Sequence, residues 1–197
     1  MCKNYIKGGF VLNNVLPIKD KNKLEELKEE FKKTGTRNFM WFYTGINTGL
    51  RISDLLSLNR NDVRDNNNNM KSHITIVEKK SKKEKRFPIY NGLYFELEKY
   101  TRNMKFGEFL FKSQIGVNSP ITTVQAYRII KAAANSIGLE NIGTHSMRKT
   151  FGYFHYQQYH DIAMLQSIFN HSSPSITLRY IGISQEEIDK SYSNFSL

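Results

Sequence analysis

Residues 144–182 read THSMRKTFGYFHYQQYHDIAMLQSIFNHSSPSITLRYIG, and their pattern decides what kind of molecule this is. Three helices follow from the run. One begins near His145, after Gly143-Thr144, and a second spans Asp161 to Phe169. A third opens at Ser173-Pro174, where serine supplies an N-cap and proline fits a first turn whose N–H groups lack intrahelical partners. His145 and Arg148 stand three residues apart, so an imidazole and a guanidinium project from one helical turn. His171 closes the second helix, and Tyr180 follows nine residues later, on the third. A guanidinium stays charged and can stabilise phosphate oxygens, while an imidazole exchanges protons near neutrality. A phenol is a weak nucleophile at its ordinary pKa and needs nearby cations and a proton acceptor to attack.

The helical pattern continues upstream. Asp20 to Lys33 carries Leu24, Leu27 and Phe31 at helical spacing among charges, which predicts an amphipathic helix ending near Gly35. Thr36 is placed to cap a more apolar helix through Phe39, Trp41, Phe42 and Ile46. Gly49 interrupts that helix just before Arg51, and a short helix over ISDLLSL follows. His73 to Val77 alternates and is β-branched, with Lys85 to Tyr90 as its partner strand and Pro88 favouring an edge. Asn91 to Met104 returns to helical spacing. Thr122 and Gln125 form a capping-box pair, as do Ser184 and Glu187 ahead of a last helix. The expected fold is mainly α with one small antiparallel β-sheet, an α+β domain.

Composition narrows the function. The 29 Lys and Arg exceed the 18 Asp and Glu, for a net charge of +11, which is the footprint of a polyanion partner. No 18-residue apolar stretch predicts a membrane span and no signal-peptide core opens the chain. The single cysteine, Cys2, rules out an intrachain disulfide and a cysteine-based metal cluster, so a cytoplasmic protein is expected. The histidines and acids show no metal-ligand spacing, so neither a metal nor a cofactor is expected. An RNA-binding module would need aromatic RNP-like strands or a GXXG loop, and the sequence has neither.

Arg51 emerges where one helix breaks and another starts, a place where a phosphate meets a guanidinium fork. Asp54, three residues on, shares its helical face and can orient a neighbouring basic side chain. Taken singly, the two read as a surface ion pair. Across the turn and into the second strand, Lys79, Lys80, Lys82, Lys83, Lys85 and Arg86 crowd six cations into a basic hairpin that fits a DNA backbone. Lys149, beside Arg148, fits the same role. None of these residues is diagnostic alone.

Together TGLRISDLLSL, HSMRKTFGYF and NHSSPSITLRYI, in this order and spacing, resemble the catalytic domain of the tyrosine recombinase/phage integrase family, from about Asn38 to Tyr180. The resemblance implies a DNA breaking-rejoining domain. Arg51 and Arg148 would grip the scissile phosphate, Tyr180 would be the nucleophile, and His145 would take its proton. His171 would support phosphate and nucleophile, Asp54 would fill the family's acidic position, and Lys80, eight residues before Pro88, would protonate the leaving oxygen. Lys79 and Lys82 compete for that last role. The implied reaction is site-specific recombination of double-stranded DNA through a 3′-phosphotyrosyl intermediate. The implied setting is a bacterial or phage-encoded enzyme of a mobile element, associated with the nucleoid. A homotetramer on DNA is implied too, exchanging Gln185 to Leu197 between neighbours and helped by accessory DNA-bending proteins.

Two other readings use similar residues: a type IB topoisomerase-like enzyme, and a recombinase relative that binds DNA as a regulator without cutting. The sequence departs from the family in reading Phe169-Asn170-His171 where LGH is common, and Lys149 where a histidine usually follows the second arginine. The expected organisation is an arm or linker over residues 1–16 and a catalytic domain over 17–197, with the family's usual N-terminal core-binding domain absent.

Overall fold

The apolar spacing near the start of the chain produces the expected helix. In the computed structural model, which describes residues 15–80 and 82–183, α1 (Lys21–Lys33) buries Leu24, Leu27 and Phe31. The Asp20 carboxylate caps it, accepting from the Asn22 amide at 2.7 Å. α2 (Thr36–Thr48) is buried on nearly every side, through Phe39, Met40, Trp41 and Phe42. Phe31 stacks on Phe42 with ring centres 4.2 Å apart and meets Trp41 edge-on at 5.2 Å, fixing α1 to α2. Gly35, not Thr36, is the N-cap; Thr36 is already the first helical residue.

Gly49 ends α2 in the left-handed region (φ 62°), and a Cβ there would lie 2.5 Å from the Phe151 ring. Only glycine satisfies both conditions. The chain then enters α3 (Ile52–Leu55) with Arg51 extended at its N-cap. The helix stops short of the expected ISDLLSL because the Ser57 hydroxyl takes the Asp54 carbonyl at 2.8 Å while Leu56 and Leu58 turn into the core. A second short helix, α4 (Arg60–Val63), has no counterpart in the expectations. Its start is legible in retrospect: Asn59 Oδ1 accepts from the Asn61 amide at 2.8 Å and Asp62 accepts from the Asn59 amide at 2.7 Å. Two buried arginines, Arg60 and Arg64, both bind Asn68 and so turn the asparagine-rich stretch into an ordered loop.

β1 (His73–Val77) and β2 (Glu84–Pro88) form the two-stranded antiparallel sheet, in register from His73 opposite Pro88 to Val77 opposite Glu84. β2 thus begins one residue earlier than expected and ends at the proline, which cannot extend a ladder. α5 (Asn91–Thr101) follows, then α6 (Thr123–Ser136), whose Thr122–Gln125 capping box forms with bonds of 3.1 and 2.8 Å. The last described helices are α7 (Thr144–Tyr159), α8 (Ile162–Phe169) and α9 (Pro174–Tyr180), as the sequence predicts to within a residue or so.

The described residues form two hydrophobic clusters. The large one gathers α1, α2, the sheet, α5, α6 and Met147 of α7. The small one, Leu165, Phe169 and Ile181 with Tyr180 at its edge, packs α8 and α9 against the other side of α7. Gly152 lets them meet: a Cβ there would lie 2.7 Å from Phe169 and Ile181. The fold is mainly α with a small antiparallel sheet, as expected. No helix among the described residues is long and apolar enough to cross a membrane. The Ser184–Glu187 capping box, the exchange segment Gln185 to Leu197 and most of the 1–16 arm lie outside the described residues.

Candidate active site

Arg148 is the bolt between the two clusters. It sits on the first turns of α7, is 3 % exposed, and donates through Nη1 to the Gly49 carbonyl and through Nη2 to the Phe169 carbonyl at 3.0 Å. Its guanidinium carbon lies 4.3 Å from the centre of the Phe169 ring, a cation–π contact. Both acceptors are helix-end carbonyls, which lack intrahelical donors and carry the negative end of the helix dipole. Burial pulls the Arg148 pKa down, with Tyr180 pulling the other way, but a guanidinium remains charged at neutral pH.

Arg51 does not pair with Asp54. Its Nη1 donates to Glu78, a fully buried carboxylate that also faces Lys85 Nζ at 3.7 Å. Lys85 in turn donates to the Ile168 carbonyl at the end of α8. Arg51, Glu78 and Lys85 thus tie α3, the sheet and α8 together around the site. Asp54 is 2 % exposed, and its Oδ1 accepts from the Lys79 backbone amide at 3.1 Å. It holds the base of the basic hairpin, and its charge also favours protonated Arg148.

Sequence reading missed Glu78, although a signal was available. Strand alternation puts residues 74, 76 and 78 on one face and 85, 87 and 89 on the corresponding face of the partner. Ile74, Phe87 and Ile89 are buried there, so Glu78 and Lys85 belong inside as well. Glu78→Ala would leave Arg51 and Lys85 without their common anion. Unfolding free energy is expected to fall by about 2 kcal/mol, on the low side for breaking a buried pair because Arg51 still reaches solvent. Urea melts of the variant and of Glu78→Gln, which keeps an acceptor, check this.

His171 follows Asn170, whose left-handed conformation (φ 54°) ends α8 and turns the chain. Its Nδ1 lies 3.0 Å from Thr177 Oγ1, and its ring stands edge-on to Tyr180 with centres 5.1 Å apart. Burial, then the charges of Arg148, Arg51, Lys85 and Lys80, holds the His171 pKa down to about 4. His145 is shifted down too, by burial first and then by Lys149, Arg148, Arg51 and Lys80. Both imidazoles are therefore neutral at pH 7, and His145 has its lone pair free to accept a proton. Tyr180 is shifted up: burial outweighs the lowering by Arg148 and Arg51 and by a hydrogen bond with Arg148. The resting phenol keeps its proton.

Arg51, Lys80, His145, Arg148, Asn170, His171 and Tyr180 line one pocket of about 360 Å³. Of the residues expected to meet DNA, Lys79, Lys82, Lys83 and Arg86 are exposed. Lys85 and Lys149 are not on that face. Lys85 is held inside by Glu78 and Ile168. Lys149, 9 % exposed, donates to the Val15 carbonyl at 2.7 Å and lies over the Tyr180 ring at 5.3 Å. Their positive charge reaches the pocket, Lys85 helping to lower the His171 pKa and Lys149 that of His145.

Comparison with known proteins gives the family and the fold. Residues 18–187 match the model of the phage integrase family. The chain is 46 % identical over 181 residues to a probable integrase/recombinase, YoeC, of Bacillus subtilis, covering 92 % of this chain and 97 % of that protein. It is 28 % identical over 196 residues to the tyrosine recombinase XerC of Thermodesulfovibrio yellowstonii, covering 95 % of this chain and 64 % of XerC. Among solved structures, the XerH site-specific recombinase bound to its palindromic difH substrate, in a post-cleavage complex, superposes with a TM-score of 0.70 at 22 % identity, over 91 % of this chain and 52 % of XerH. The two-cluster helical fold is thus that of a recombinase, and the chain belongs to the phage integrase family of tyrosine recombinases.

Proposed function

We propose that the chain is a site-specific recombinase that cleaves and rejoins duplex DNA through Tyr180. The carrying observation is that both arginines, both histidines, the hairpin lysine and the tyrosine, drawn from four separate stretches of sequence, line one small pocket. Tyr180 Oη attacks the scissile phosphorus in line. The bond from phosphorus to the 5′ oxygen breaks, a 3′-phosphotyrosyl ester forms, and a 5′ hydroxyl leaves. His145, neutral at pH 7, takes the phenol proton; Lys80, an exposed lysine that lines the pocket, gives one to the leaving oxygen. Arg51 and Arg148 hold the non-bridging oxygens, where charge is greatest in the transition state. Rejoining reverses these steps with a new 5′ hydroxyl, and the ester bond conserves the energy needed.

Supporting the reading on the binding side, exposed Lys79, Lys82, Lys83 and Arg86 rim the pocket's lysine and suit a phosphate backbone. Duplex DNA is the proposed partner. The active form is a homotetramer on two DNA sites, with the C-terminal segment passed between neighbours and accessory proteins bending the DNA. The test is covalent capture. Incubated with a nicked duplex that loses the short fragment carrying the new 5′ hydroxyl after cleavage, the chain should yield a denaturant-resistant adduct whose labelled peptide contains Tyr180. An adduct on another residue, or cleavage without an adduct, would overturn the assignment.

A further inference from the structure

Thr177 is fully buried in α9, three residues before Tyr180. Its Oγ1 lies 3.0 Å from His171 Nδ1 and 3.3 Å from the Ser173 carbonyl, the usual back-bonding partner of a helical threonine. A hydroxyl has one proton to give. If it goes to Ser173, the threonine can only accept from His171, which puts the imidazole proton on Nδ1 and leaves Nε2 a bare lone pair. If it goes to Nδ1, the imidazole proton sits on Nε2. The 3.0 Å contact serves either arrangement; the second gives up only the longer bond to Ser173, whose carbonyl still accepts from the Thr177 amide at 3.3 Å.

The pocket's chemistry favours the second arrangement. His171 lines the pocket with Arg51, Arg148 and Lys80, a set that attracts an anion. A bare lone pair among them would repel a phosphate oxygen, whereas an N–H would bind it. Those same cations, with Lys85 and burial, keep the free ring from becoming an imidazolium that could donate from both nitrogens. The Phe169 and Tyr180 rings pack on His171 at 5.3 and 5.1 Å and hold its plane, so the choice of tautomer is what remains to be set.

We propose that Thr177 is a positioning residue: its hydroxyl donates to His171 Nδ1 and so selects the tautomer that offers Nε2–H to the scissile phosphate. The role is indirect, since Thr177 touches the imidazole and not the substrate, and it rests on the phosphoryl-transfer reading of the pocket. Its logic is that of a histidine whose second nitrogen is directed by the hydrogen bond of the first.

Three variants test it. Thr177→Val keeps the shape and removes the hydroxyl; Thr177→Ser keeps the hydroxyl; His171→Trp replaces the imidazole by an indole, which has only a donor N–H and no tautomer to set. Nitrogen-15 NMR of the His171 ring in the free full-length chain should show the Nε2–H tautomer in the wild type and Thr177→Ser, and a shift toward Nδ1–H in Thr177→Val. Single-turnover adduct formation should fall about tenfold in Thr177→Val, the scale of one weakened transition-state hydrogen bond. Thr177→Ser should stay within about twofold of wild type. In the His171→Trp background, Thr177→Val should cost nothing more.

An Nδ1–H wild-type ring would overturn the proposal, as would an unimpaired Thr177→Val or an equal loss in both backgrounds, the mark of a packing role. The NMR result decides even if His171→Trp is inactive or Thr177→Val misfolds, because it is read on the wild type. A wild type that forms no adduct would sink the reading of the pocket instead, and would leave the hydrogen-bond assignment to stand or fall on the spectra.

Discussion

Tyr180→Phe should fold, bind duplex DNA and form no covalent adduct, a loss of at least about 10⁴-fold in cleavage, as expected when a nucleophile is removed from a concerted set. The argument for an intact fold is local. Tyr180 is the last residue of α9, and its ring already packs against Phe169 at 5.5 Å, a contact phenylalanine keeps. The helix itself is held by Ser173 at the N-cap, by Pro174 and by buried Thr177, none of which the substitution touches. What disappears is the hydroxyl, with its hydrogen bond to Arg148. That bond is worth about 1 kcal/mol net, and burial without the hydroxyl recovers part of it, so the midpoint of unfolding should scarcely move. Binding should survive because the cations proposed to meet DNA lie on the exposed hairpin and in the arginine pair. The measurement is a side-by-side pair: mobility shift on intact duplex, and a denaturing gel on the nicked substrate. Persistent adduct in the variant would transfer the nucleophile's role to another residue.

Most of the helical frame was legible because its signals are local. Asp20, Thr122-Gln125 and Ser173-Pro174 are caps whose partners lie within four residues, so the sequence shows both halves of each interaction. The pocket residues were legible for a different reason: the spelling and order of three segments resemble a known family, whereas each residue by itself reads as an ion pair or a packing side chain. What escaped is what tertiary closure decides. Glu78 and Lys85 sit in a run of cations that looks like a solvated turn. They became interior partners only because the sheet closes over α3 and the end of α8. Lys149 looks like a DNA contact beside Arg148, yet on α7 the next residue points some 100° away, here toward Val15 and the Tyr180 ring. The strand alternation that would have placed Glu78 and Lys85 competes in the sequence with the hairpin's charge density, and charge is the more conspicuous signal.

Arg148→Lys is expected to lower adduct formation by at least about 10²-fold although the charge is retained, and Arg148→Ala by about 10³-fold. The distinction rests on geometry. Arg148 spends one nitrogen on the Gly49 carbonyl and another on Phe169, so its fork spans the end of α2 and the end of α8 while its plane lies over the Phe169 ring. A lysine ammonium is a point donor that can serve one of those carbonyls, and its stem cannot stack. The other carbonyl is then buried without a donor, at a cost of about 1–3 kcal/mol. The small cluster carrying His171 and Tyr180 is fastened to α7 partly through that bond, so Arg148→Lys should also loosen α8 and α9 selectively. Amide hydrogen exchange would show faster exchange in α8 and α9 with α1 and α2 unchanged. Arg148→Ala loses both fastenings and the positive charge, and should lower unfolding free energy by about 3 kcal/mol. If Arg148→Lys instead cleaves at the wild-type rate with α8 and α9 protected, positive charge alone suffices at this position. The two-carbonyl fork would then be no part of how the site is built.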